Sequence, residues 1–254
     1  MKLRALIQKS LLAVAGLGTL AAVIFAVILV LNPDRFYALK GLVLMLLKQN
    51  HEARQACDKA IEIKQDSGPG WSCQVLLPLV LEQYNDVVIN SEQIIKLFPD
   101  DPNLWEVWKW RGFALMELKR YDEALLSLNQ SLQLKSDDAD TQLFNCRTLH
   151  NLQQYDAALQ SCNRSLEVKG LYSTLELRSL ILLKLRRYEE ALSSYNLVIQ
   201  INPNDSEIWN NRGIALENLQ RYNQAMRSFE QAIKIDPNNE KATYNRQRLY
   251  KQLK

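Results

Sequence analysis

Between Ser206 and Asn239 the apolar and small side chains of Trp209, Gly213, Leu216, Ala225, Phe229, Ala232 and Ile235 recur at helical spacing. A short polar break, Leu219-Gln220-Arg221-Tyr222-Asn223, divides them into two runs. The pattern predicts two amphipathic helices joined by a tight turn, with Asp236-Pro237-Asn238 ending the second. A helix pair of this size cannot bury its apolar face alone and needs copies stacked beside it. The copies are present: 34 residues upstream, Tyr188, Ala191, Tyr195 and Pro203 take the places of Tyr222, Ala225, Phe229 and Pro237. Earlier copies place Tyr155 with Ala158, Tyr121 with Ala124, Tyr84 with Val87 and Asn50 with Ala53. The predicted fold is an all-α solenoid of about six helix pairs over residues 34–239, divided 34–67, 68–104, 105–138, 139–171, 172–205 and 206–239. A capping helix follows over 240–254.

The copies resemble the tetratricopeptide repeat (TPR). The last is the nearest match, with Trp209 and Gly213 opening the first helix and Ala225, Phe229, Ala232 and Pro237 following in the second. The copy at 105 keeps Trp108, Gly112, Tyr121 and Ala124 but carries Leu128, Ser131 and Ser136 where the pattern has an aromatic, an alanine and a proline. The copy at 34 is sparser, with Tyr37, Gly41, Ala53, Cys57 and Ala60. The resemblance implies a right-handed stack with a groove lined by the first helices, which is where such solenoids bind partners. Some relatives clamp acidic chaperone tails with Lys and Asn in consecutive repeats. The corresponding positions here are Ala38 with Leu42 and Ser72 with Leu76, so the resemblance does not extend to that function.

Residues 1–10 form a basic tail, Lys2, Arg4 and Lys9 without an acid, and residues 11–31 are then uncharged and apolar. At about 1.5 Å per residue such a run reaches across a hydrocarbon core of roughly 30 Å and predicts a single transmembrane helix. It exceeds the h-region of a cleaved signal peptide, and Val30-Leu31-Asn32-Pro33 offers no small-residue cleavage site. Gly18, Ala22 and Ala26 share one face, through which the anchor could form a homo-oligomer. The basic tail favours a cytoplasmic N-terminus and repeats in the periplasm or lumen, although Arg35 and Lys40 flank the other end. The first helix of the first copy, Phe36 to Leu47, is apolar nearly all round, so its outer face needs a cover. A membrane interface, a partner helix or the end of the anchor would serve. Pro78, inside a predicted helix, and the three extra residues Pro102-Asn103-Leu104 predict a bend in the second copy.

The three tail cations account for the whole excess of 31 Lys and Arg over 28 Asp and Glu, so the remainder is neutral and has no general nucleic-acid surface. No phosphate loop, nucleophile elbow or His-Glu zinc motif occurs, and the expectation is a protein without catalysis or cofactor. The four cysteines form two pairs. Cys57 and Cys73 straddle one predicted turn, Cys146 and Cys162 another, so each pair sits level on an antiparallel helix pair and is a candidate disulfide. Buried thiols remain the alternative. Cys146, His150 and Cys162 converge only partly, with no fourth ligand, and no metal site is assigned.

What remains is surface. The expected groove lining is Leu42, Met45 and Leu76 near the membrane, Lys109, Phe113, Arg147 and His150 in the middle and Asn210 at the far end. The expected function is a membrane-anchored scaffold or assembly factor binding a protein or peptide. The alternative is a redox- or metal-responsive module built on the two cysteine pairs.

Overall fold

The computed structural model describes residues 32–64, 68–170 and 172–254. Among them every regular element is an α-helix: α1 Pro33–Leu46, α2 Asn50–Ile63, α3 Gly68–Val80, α4 Tyr84–Leu97, α5 Leu104–Glu117, α6 Tyr121–Leu134, α7 Ala139–Asn151, α8 Tyr155–Val168, α9 Tyr172–Lys184, α10 Tyr188–Ile201, α11 Ser206–Asn218, α12 Tyr222–Ile235 and α13 Glu240–Gln252. The basic tail 1–10 and the apolar run 11–31 lie outside the described residues. No helix among the described residues is long and apolar enough to cross a membrane.

The same turn joins the two helices of each pair, and its cause is local. Lys48, Glu82, Lys119, Gln153, Arg186 and Gln220 all take φ between 57° and 62°. That left-handed residue swings the next amide back onto the preceding helix. Gln49 N–H thereby donates to the Leu44 carbonyl at 2.9 Å, and Gln83, Arg120, Gln154, Arg187 and Arg221 repeat the bond to Pro78, Leu115, Leu149, Leu182 and Leu216 at 2.8 to 2.9 Å. Several first helices start instead on a side-chain cap. Asp138 accepts from the Thr141 amide, Asp205 from those of Glu207 and Ile208, and Asn239 from that of Ala242.

The chain divides into two compact bodies at Asp101/Pro102, within the stretch where the repeat spacing lengthens. In the first, α1 packs on α2 and on α3, and the core is Met45, Ala53, Cys57, Cys73 and Leu77. Pro78 is buried near the end of α3, which runs through it to Val80; the lost hydrogen bond falls in the last turns. In the second body each helix packs on its successor from α5 to α13. First helices also touch one another in series, α5 with α7, α7 with α9, α9 with α11 and α11 with α13. Second helices make no such contacts among the described residues, so the first helices form the crowded inner row.

In three pairs a glycine sets the helix separation. A Cβ on Gly213 would lie 2.5 Å from the Phe229 ring, and one on Gly41 would lie 2.7 Å from the Cys57 and Cys73 sulfurs. Glycine is therefore required at these two positions, and Phe229 is fully buried as a result. Trp209 is only half-buried, and its indole N–H donates to the Pro203 carbonyl at 2.9 Å.

A second device is polar. Arg111 donates to Ser127 at 2.5 Å, Arg212 to Ser228 at 2.6 Å, and Arg178 to Ser194, each tying a first helix to its own second helix. Arg212 Nε also reaches Asn196 at 2.8 Å and Arg178 Nε reaches Asn163 at 2.7 Å, on the preceding second helix. In α7 the same place is held by Asn145, bonded to Asn129 at 2.9 Å and to Ser161 at 3.5 Å. These charge-assisted and amide bonds satisfy groups that burial would otherwise penalise. Burial alone depresses the basicity of Arg212 and is the leading cause for Arg178. α13 closes the second body with Ala242 and Leu249 buried and most other positions polar.

Candidate functional site

The expected groove residues divide by burial. In the first body Met45 is buried and Leu42 and Leu76 are packed against the same core, so all three are occupied by holding α1 on α3. In the second body Lys109 and Asn210 are also consumed by packing. Lys109 Nζ lies 3.6 Å from Asp138 Oδ2 and sits over the Trp105 and Trp110 rings at 4.5 and 4.9 Å. Asn210 is 2% exposed, and its Oδ1 accepts from Asn245 of α13 at 2.9 Å.

In the second body Phe113, Arg147 and His150 stay partly open. Phe113 meets Phe144 at 4.9 Å between ring centres and Trp110 edge-on at 6.2 Å. Trp110 also faces Phe144 at 6.2 Å, so the three rings form one cluster bridging α5 and α7. The sequence reading missed Trp110 and Phe144. Their signal was an aromatic recurring at one repeat position, 34 residues apart.

Farther along the inner row the chemistry is polar. Glu176 of α9 is half-buried, and burial together with the charge of Asp205 raises its carboxyl above the ordinary value, against the pull of Arg147. Tyr195 is fully buried beneath, its hydroxyl without a hydrogen-bond partner and held protonated by burial and by Glu176. His150 lies 5.7 Å from Tyr155, ring to ring, with Nε2 buried and unpartnered. Burial lowers its basicity, Asn151 opposes that, and Lys184 adds to it. The arrangement offers an aromatic shelf, a cation and a poorly solvated carboxyl in sequence along α5, α7 and α9. It holds no nucleophile paired with a base, and among the described residues no three His, Cys, Asp or Glu side chains converge as a metal site would require.

A separate concavity of about 470 Å³ is lined by Asn129, Gln133, Gln142, Asn145, Gln160 and Ser161. Several of these amides are already bonded to one another or to backbone, so it reads as part of the α6–α7–α8 joint.

The cysteine pairs meet sulfur to sulfur, with Cα separations of 5.6 Å for Cys57 and Cys73 and 5.3 Å for Cys146 and Cys162. They differ in what they join. Cys57 on α2 reaches Cys73 on α3, connecting one repeat to the next, whereas Cys146 on α7 reaches Cys162 on α8 within one repeat. All four side chains are buried at 1% exposure or less.

Sequence patterns described as tetratricopeptide repeat match residues 34–67, 105–138 and 177–250. The chain carries TPR repeats. None of the curated proteins matches it. Among solved structures it is similar to YrrB, described as a TPR protein with an unusual peptide-binding site, at 19% identity with a TM-score of 0.69 over 76% of this chain and 98% of that one. It is similar to MamA MSR-1 C2 at 19% identity and TM-score 0.60, covering 66% and 95% of the two chains. A third similar structure is the APC/C hetero-tetramer Cut9-Hcn1, at 16% identity and TM-score 0.65. The match covers 90% of this chain but 45% of that one. At these identities the likeness establishes the TPR fold.

Proposed function

We propose that this protein is a non-catalytic, membrane-anchored scaffold that holds a partner protein or peptide against the inner row of its second body. The observation that carries the reading is the partly open series Phe113, Arg147, His150 and Glu176, left over after Lys109, Leu143 and Asn210 are buried by packing between repeats. A partner segment offering an aromatic or aliphatic side chain to the Phe113 shelf and a carboxylate to Arg147 fits that series. The TPR fold supports it, since the similar YrrB is described as peptide-binding and the similar Cut9-Hcn1 structure is a hetero-tetramer.

The anchor in this reading is residues 11–31, with the N-terminus cytoplasmic and the repeats in the periplasm or lumen. Both cysteine pairs are disulfides there, as an oxidising compartment allows. The alternative, a redox-responsive module, needs sulfurs that reductants reach; burial of all four weighs against it. The experiment is affinity purification of the full chain from solubilised membranes beside Phe113→Ala and Arg147→Glu variants. The reading expects a partner recovered with the wild type and reduced severalfold in both variants at unchanged helicity. Equal recovery in all three would overturn the groove assignment.

A further inference from the structure

The surface of α1 is not accounted for by packing. Its buried positions are Asp34, Ala38, Gly41 and Met45, one helical face turned to the first body's core. On the opposite side Leu39 is 55% and Leu46 54% exposed, and Leu47, which caps the helix, is 40% exposed. Three such side chains within nine residues form an apolar stripe whose burial a cover would make favourable. The fringe of the stripe is cationic: Arg35, Lys40 and Lys48 are exposed, and the single acid of α1, Asp34, is buried. Phe36 and Tyr37 form an edge-to-face pair at 5.3 Å in the first turn, with Lys40 Nζ 5.8 Å from the Tyr37 ring centre.

We propose that this face of α1 is a membrane-surface site that rests in the headgroup layer of an anionic bilayer. Leu39, Leu46 and Leu47 dip toward the acyl boundary, and Arg35, Lys40 and Lys48 extend to lipid phosphates. The inference rests on the anchored reading above and adds a second, peripheral contact to it. Two facts select a bilayer over a partner helix. The chain before α1 is a run of 21 uncharged residues ending at Leu31, and α1 begins at Pro33, so no linker exists to carry this helix away from the membrane. A leucine stripe with long cations on both flanks and aromatics at one end is the composition that interfacial helices use, with the cations' methylene stems lying along apolar surface.

The test is photo-cross-linking of the full chain reconstituted in vesicles of phosphatidylcholine with phosphatidylglycerol. Leu39→p-benzoylphenylalanine and Leu46→p-benzoylphenylalanine report the face, and Leu126→p-benzoylphenylalanine, at a position 68% exposed on α6, is the control. The expected result is lipid adducts at 39 and 46 and none at 126. Arg35→Glu with Lys40→Glu should reduce those adducts by roughly fivefold or more while helicity is unchanged, since each cation near an anionic surface is worth about that factor. Adducts to a second copy of the chain, or none with lipid, overturn the proposal. Carbonate extraction of the same vesicles separates the two failures. Release of the chain overturns the anchor itself, whereas retention without lipid adducts overturns only the α1 contact.

Discussion

Among the described residues six non-glycine residues sit in the left-handed region, one per turn, and every one is exposed. Their side chains make no packing contribution that would compensate, and an L residue there costs on the order of 1 kcal/mol relative to glycine. Gln220→Gly is therefore expected to raise stability by about 0.5 to 1 kcal/mol despite the added freedom of the unfolded chain. Urea unfolding of the two proteins checks it, and a lower midpoint would refute it. His150 carries the opposite kind of local cost. Burial holds its imidazole below the ordinary 6.5, so between that value and the folded one the unfolded chain binds a proton that the native state refuses. Stability is present above about pH 6.5 and is lost as pH falls toward the folded value. The raised carboxyl of Glu176 works the other way, gaining stability as pH falls through its folded value, so the two are separated by substitution. His150→Gln should lose less stability than the wild type between about pH 7.5 and about pH 5.5, read as the shift in urea midpoint. An identical shift would show that His150 titrates normally.

At the scale of elements, the turns and helix pairs were legible because one local pattern was written six times: small residues at Gly213, Ala225 and Ala232 and their copies mark close approach. What the pattern could not reveal was which inner-row positions packing would consume. Lys109 looked like a groove cation but is drawn down by Trp105, Trp110 and Asp138, and Asn210 is claimed by Asn245 of the capping helix. Those partners lie on other elements and leave no trace in helical periodicity. The Arg–Ser ladder was missed for a related reason, since Arg111, Arg178 and Arg212 read as solvated charges until a serine 16 residues on is brought opposite. The same 16-residue separation places each cysteine pair level across a turn. Each closed loop of that size removes about 3 kcal/mol of unfolded-state freedom in the chain-entropy account. Oxidised protein should thus unfold at higher urea than protein reduced and alkylated while unfolded, and Cys146→Ala with Cys162→Ala should retain only part of that difference. No difference on reduction would mean the sulfurs are thiols.

For the whole molecule the proposed anchoring implies a side of the membrane for the repeats, and the cysteines read it. If residues 11–31 anchor the chain, the asymmetry of the basic tail favours repeats outside the cytoplasm, Arg35 and Lys40 oppose it, and the α1 face would carry its cations against either leaflet. Redox state depends on the side directly, because disulfides persist in oxidising compartments and thiols are kept reduced in the cytosol. Burial sharpens the measurement: sulfurs at 1% exposure or less react only when the surrounding helices open, so labelling must follow mild denaturation in sealed cells. With a membrane-impermeant thiol reagent, the expected outcome is no labelling before an impermeant reductant is added and labelling of Cys57, Cys73, Cys146 and Cys162 afterwards. Single-pair Cys→Ala variants assign each signal. Labelling that appears only after lysis, without any reductant, would put the repeats in the cytoplasm and remove both disulfides at once. The partner offering a carboxylate to Arg147 would then be sought among cytoplasmic proteins.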